Sequence, residues 1–114
     1  MNGYEARHCE VCQTGAPPAR AEEIAALLRD HPHWAIETVD GIPQLVRTFK
    51  FPDFASAMAF ALRVGELAEE EGHHPALCIE WGKVTVRWWT HKIHNLHRND
   101  LLMAAKTDAL YTTS

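Results

Sequence analysis

Two histidines stand side by side at positions 73 and 74, inside the stretch EEEGHHPALCIEW (69–81). The chain holds eight histidines, and five of them (His73, His74, His91, His94 and His97) crowd into its second half. Imidazole gives and takes protons near neutral pH, with an ordinary pKa of ~6.5, and it also binds metals. Metal binding, proton chemistry and a satisfied turn are therefore the three readings of this cluster. His91, His94 and His97 have the spacing H-x-x-H-x-x-H, but they follow a strand and fall in a loop, where steps of three do not share a face. Pro75 biases His74 toward extended backbone, so the side chains of His73 and His74 diverge and can address different atoms of one ligand.

The elements that must position these residues are legible from periodicity and punctuation. AEEIAALLRD (21–30) has helical spacing of Ile24, Leu27 and Leu28, with acids in its first turn and Pro32 just beyond its end. WAIETVD (34–40) alternates as a half-buried strand, GIP (41–43) reads as a turn, and QLVRTFKF (44–51) is a second strand. Residues 53–72 form the longest helix, with Asp53 as N-cap and Gly72 at the C-terminal glycine position. Its apolar residues fall into two stripes, Phe54/Met58/Ala61/Gly65/Ala68 and Phe60/Val64/Leu67, so a partner subunit is expected on one of them. ALCIEW (76–81) and VTVRWWTH (84–91) make a second hairpin around Gly82–Lys83. KIHNLHR (92–98) reads as loop, and Asn99 or Asp100 caps a last helix over 101–111. The fold class is therefore α+β: a four-stranded antiparallel sheet with three helices packed on one face, in the order α-β-β-α-β-β-α.

The hairpin register bears on the chemistry. With Gly82–Lys83 as the loop, Trp81 faces Val84, Ile79 faces Val86 and Leu77 faces Trp88, all on one apolar face. Continued outward, that register sets His74 opposite His91, with His73 adjacent, so three histidines converge at the open end of the hairpin.

Bulk properties narrow the function class. The chain has 114 residues, a net charge of −4 with histidines neutral and 46% hydrophobic residues, which fits one globular domain. An acidic balance argues against nucleic acid as partner, since phosphate binding wants a basic surface. No apolar run nears the ~18 residues of a membrane span, and MNGYEARHCEVCQ lacks a signal-peptide core, so no membrane association and a cytoplasmic location are expected. Cys9 and Cys12 form C-x-x-C, half of a zinc site without its second half, and Cys78 sits in an apolar run as a core residue.

The pattern Glu69-x3-His73-His74-Pro75-x5-Trp81-x9-His91-x8-Asp100 resembles the signature of the pterin-4a-carbinolamine dehydratases. The likeness extends over DGIPQLVRTFKFPDFASAMAFALRVGELAEEEGHHPAL and EWGKVTVRWWTHKI to the bacterial branch of that family, and HCEVC is similar to an extension of some bacterial members. It implies an N-terminal extension over 1–19, expected to be flexible, and a dehydratase-like domain over 20–114. It implies elimination of water from 4a-hydroxytetrahydropterin to give quinonoid dihydropterin, in recycling the pterin oxidised by phenylalanine hydroxylase. No cofactor and no metal is implied. By this resemblance His73, His74 and His91 are catalytic, with His74 as acid and His73 or His91 as base. Glu69 and Asp100 orient the imidazoles, Thr90 lines the pocket, and Trp81 matches an aromatic position of the signature, although as a residue it reads as core packing. The family assembles as homodimers or homotetramers through the second helix and the sheet edge. A non-catalytic pterin binder, or a regulatory protein such as a transcriptional coactivator, is the other function class such a chain can serve.

Overall fold

The computed structural model describes residues 17–112. Its elements are α1 (Ala21–Asp30), β1 (Ala35–Val39), β2 (Ile42–Lys50), α2 (Phe54–Glu71), β3 (Ala76–Glu80), β4 (Lys83–Trp88), a 3-10 turn (His91–Ile93) and α3 (Arg98–Thr112). The order is the one expected, and the antiparallel sheet runs β1-β2-β4-β3. Each hairpin keeps its own strands together, and β2 beside β4 joins the two. Cys9 and Cys12 lie outside the described residues.

Alternation decides which side of the sheet is covered. Leu45 and Phe49 of β2 pair with Trp88 and Val84 of β4, and Leu77 and Ile79 of β3 pair with Val86 and Val84. Leu45, Phe49, Val84, Val86 and Trp88 are all buried, and α2 and α3 cover them while α1 packs on α3. The opposite face carries polar pairs: Thr48 with Thr85, and Arg87 donating to Glu37 and Gln44. Phe49 sits at the centre of an aromatic cluster, with ring centroids 4.8 Å from Phe60, 5.0 Å from Tyr111 and 6.0 Å from Trp34. Edge-on and tilted geometries of this kind add to the area that the rings bury.

α2 is built as its sequence predicts at both ends. Asp53 accepts a hydrogen bond from the Ser56 N–H at 2.8 Å, and Gly72 takes the left-handed conformation at φ 65. The Ser56 hydrogen bond holds the Asp53 carboxyl below its ordinary range. Such a depressed group lends its stability above its unfolded pKa and loses it as the pH falls through its folded one. The stripes divide differently from the expectation. Ala57, Phe60, Ala61, Val64 and Ala68 face the core, while Phe54, Met58 and Leu62, spaced four apart, stand exposed. Ala61 and Ala68 therefore belong with Phe60 and Val64, because 3.6 residues per turn rotates the longer stripe off one face.

Both hairpin turns differ from their sequence reading. The first turn is Asp40–Gly41, at φ 53 and 78, and Ile42 and Pro43 already pair with Val39 and Thr38. Pro43 lies beyond the overlap of β2 with β4, so its missing N–H costs no bond there. The second turn is Trp81–Gly82, since Glu80 pairs with Lys83 and Ile79 with Val84. Gly82 has φ 79, its carbonyl accepts from the Phe51 N–H at 2.9 Å, and a Cβ there would meet the Phe51 carbonyl oxygen at 3.3 Å. Trp81 is consequently 74% exposed at the turn and is not a core residue. Cys78 also faces outward, with its thiol 3.9 Å from Glu80. β1 is exposed along its length as an edge strand, and it is not half-buried.

Asp108, on the last turns of α3, ties the first third of the chain to the core. It accepts from the His31 ring at 2.7 Å, the Trp34 indole N–H at 2.9 Å and the Arg47 guanidinium at 2.7 Å. This one carboxylate thus locks the end of α1 and the start of β1 to the sheet.

Candidate functional site

The junction between α2 and β3 places the two adjacent histidines. After Gly72 turns the chain left-handed, the His73 N–H returns to the Ala68 carbonyl at 3.1 Å, which closes the helix end as a Schellman-type cap. The chain then runs extended into Pro75, and the two side chains part as expected. His73 points inward and is buried, with its ring stacked on Trp88 at 5.8 Å and 9°. His74 points outward, and its Nε2 lies 2.6 Å from Glu69 Oε2 in an exposed pair.

Asp100 is the centre of the buried part. Its carboxylate is 0% exposed and meets three donors. The Thr90 hydroxyl donates to Oδ2 at 2.8 Å, the His97 backbone N–H donates to Oδ2 at 2.8 Å, and His73 Nε2 lies 2.7 Å from Oδ1. A carboxylate can only accept, so His73 Nε2 carries the proton of this bond. In the neutral ring Nδ1 is then the proton acceptor. Asp100 stands in the first turn of α3, where the helix dipole favours a negative charge. It lies inside the helix rather than capping it, because α3 starts at Arg98, three residues earlier than the sequence suggests.

Thr90 and Asn95 face each other in a single antiparallel bridge that closes the loop carrying His91. His91 is exposed in the 3-10 turn, with its ring stacked on Trp89 at 4.5 Å. The register explains the grouping. Ala76 faces Arg87, so the same count continued outward sets His73 level with Thr90 and His74 level with Trp89. The expected pairing of His74 with His91 is thus displaced by two residues. A shift of two keeps every side chain on its own face, so apolar agreement did not discriminate between the two registers.

The predicted residues therefore fall into three places: His73, Thr90 and Asp100 in one buried network, Glu69 with His74 outside it, and His91 on Trp89. A hollow of about 590 Å³ opens beside the second group, lined by Leu62, Gly65, Glu66, Glu69, His74 and Pro75 among others. That volume suits a small molecule. Thr90 is buried, at 2% exposure, and its hydroxyl serves Asp100. His97, in the stretch that reads as loop, belongs to the network: it is buried, at 4% exposure. Its spacing of three before Asp100, that of a capping box, is the signal that points to it. Trp88, which the alternation placed on the apolar face, also supplies the flat support for His73. Among the described residues no group of three or more His, Cys, Asp or Glu side chains is placed to hold a metal ion, and no helix there is long and apolar enough to cross a membrane.

A family model described as "Pterin 4 alpha carbinolamine dehydratase" matches residues 17–110. A protein of Syntrophotalea carbinolica named "Putative pterin-4-alpha-carbinolamine dehydratase" is 62% identical over 110 residues, covering 96% of this chain and 98% of its own. The crystal structure of a "transcriptional coactivator/pterin dehydratase from Brucella Melitensis" aligns at TM-score 0.72 and 30% identity, over 83% of this chain and 99% of that one. A "pterin dehydratase-like protein", described as "a RuBisCO assembly factor in the alpha-carboxysome", aligns at TM-score 0.60 and 27% identity, over 71% and 92% of the two chains.

Proposed function

We propose, for a chain that belongs to the pterin 4 alpha carbinolamine dehydratase family, the dehydration of 4a-hydroxytetrahydropterin to quinonoid dihydropterin. The reaction breaks the bond from C4a to the hydroxyl oxygen. That oxygen needs a proton to leave as water, and a ring nitrogen must give one up. The observation that carries the reading is the His73–Asp100–Thr90 network. A buried carboxylate holds the Nε2–H of His73, which leaves Nδ1 as a positioned base. His74, exposed and paired with Glu69 beside the hollow, is the acid. His91, backed by Trp89, is the third histidine that contacts the pterin. The physiological role is pterin recycling for phenylalanine hydroxylation, in the cytoplasm.

Turnover of chemically generated 4a-hydroxytetrahydropterin, followed by ultraviolet absorbance, tests this. Wild type is expected to exceed the spontaneous rate by a wide margin, and His74→Ala to lose about 10²-fold in kcat. A wild type no faster than the spontaneous reaction removes the enzyme reading, and a pterin binder or regulatory protein becomes the better account.

The exposed stripe of α2 favours an assembling protein in either case. Leu62 is 65% exposed, in line with Phe54 and Met58. A monomer gains nothing from leaving these to water, whereas a second copy laid against α2 would cover them. A homodimer or homotetramer is accordingly part of the proposal. Leu62→Glu is expected to shift the sedimentation coefficient to a smaller species; an unchanged assembly would place the interface elsewhere.

A further inference from the structure

His97 occupies the N-cap position of α3, directly before Arg98. Its Nδ1 accepts a hydrogen bond from the Asn99 N–H at 3.1 Å, the role that Ser, Thr, Asp or Asn usually fills at this place. In the other direction its backbone N–H donates to Asp100 Oδ2 at 2.8 Å, and the Asp100 N–H donates to the His97 carbonyl at 2.9 Å. These reciprocal bonds form a capping box with an imidazole at its head and an aspartate three residues on. Both Asn99, at 1% exposure, and Asp100 are buried, so water is poorly placed to replace a lost acceptor.

The box determines where Asp100 points. Two donors, from Thr90 and His97, share Oδ2 and fix the carboxylate plane, and Oδ1 is thereby aimed at His73 Nε2. The Ala19 N–H bonded to the Leu96 carbonyl at 2.7 Å holds the chain just before the cap, which leaves the first turn of α3 to the bonds of the cap itself. We propose that His97 is a positioning residue: its imidazole holds the first turn of α3 and so keeps the Asp100 carboxylate aligned on His73. The effect on turnover rests on His73 acting as the base of the proposed dehydratase, whereas the effect on the His73 ring does not.

The experiment pairs two readouts on the full chain. Ring ¹⁵N spectra report which nitrogen of His73 carries the proton, and steady-state kinetics with 4a-hydroxytetrahydropterin report kcat and KM. His97→Ala is expected to change the His73 ring signals toward a mixture of tautomers and to lower kcat by about 10- to 100-fold, with KM changed far less. His97→Ser, which restores a short capping acceptor, is expected to recover most of both. Should the alanine variant fail to fold, His97→Gly, which N-cap positions tolerate, is compared with His97→Ser in the same way. Wild-type His73 signals in the folded Ala or Gly variant overturn the proposal, even if its melting temperature falls, because that is the mark of a merely structural cap. A wild type without turnover ends the dehydratase reading alone, and the ring signals still decide the role of His97.

Discussion

Replacing His73 with alanine is expected to lower kcat for dehydration about 10³-fold, within the span that a positioned proton acceptor contributes. The argument is geometric. The imidazole is stacked on Trp88 on one side and bonded through Nε2 to a fully buried carboxylate, so Nδ1 is held in one place as the ring's accepting nitrogen. His74 does not take over this role, because its Nε2 is engaged by Glu69. The variant should still fold, since Asp100 keeps the Thr90 hydroxyl and the His97 N–H as donors. Stopped-flow absorbance on the folded variant checks this. A rate within about fivefold of wild type, far less than base removal costs, would assign the base to another residue, with His91 the first candidate.

Asp100→Asn is expected to be nearly as damaging for a different reason. The amide is isosteric with the carboxylate but offers only one accepting oxygen. If that oxygen stays with Thr90 and the His97 N–H, the NH2 faces His73 Nε2, and the ring must become the Nδ1–H tautomer to accept from it. Nδ1 is then no longer a base. Wrong-tautomer losses of this kind reach ~10⁴ in serine-protease triads, and a loss of 10³- to 10⁴-fold is expected here. If the amide turns the other way, the Thr90 hydroxyl can turn to accept, but the buried His97 N–H meets an NH2, at a cost of about 1–3 kcal/mol in stability. Urea denaturation together with turnover separates the two arrangements. Undiminished kcat in a fully stable variant would mean that Asp100 does not set the state of His73.

Much of the architecture is legible in the sequence alone. Apolar spacing located all three helices and both hairpins, and Asp53 and Gly72 bounded α2 within a residue. These features are read locally: helix caps and the divergence of His73 from His74 depend on a few neighbouring residues. The site residues were legible as types and spacings, and His73, Thr90 and Asp100 do meet in space. The start of α3 and the place of His97 were less so. An imidazole is an unusual cap, and a run of polar residues after a strand reads as loop when no partner is known.

The sequence by itself determined the order of elements, the apolar faces, the adjacent histidines before Pro75 and the spacing from Glu69 to Asp100. Only the tertiary structure decided how these parts register. The β3–β4 ladder slides by two residues without turning a side chain over, so hydrophobic alternation does not choose between registers; the pairing of the strands and the contact of Gly82 with Phe51 do. That choice sets His73 beside Thr90 and separates His74 from His91. Burial is likewise a property of the assembled fold. His97 becomes interior where the chain closes between Thr90 and Asn95 and Leu96 meets Ala19, two contacts that no local window contains.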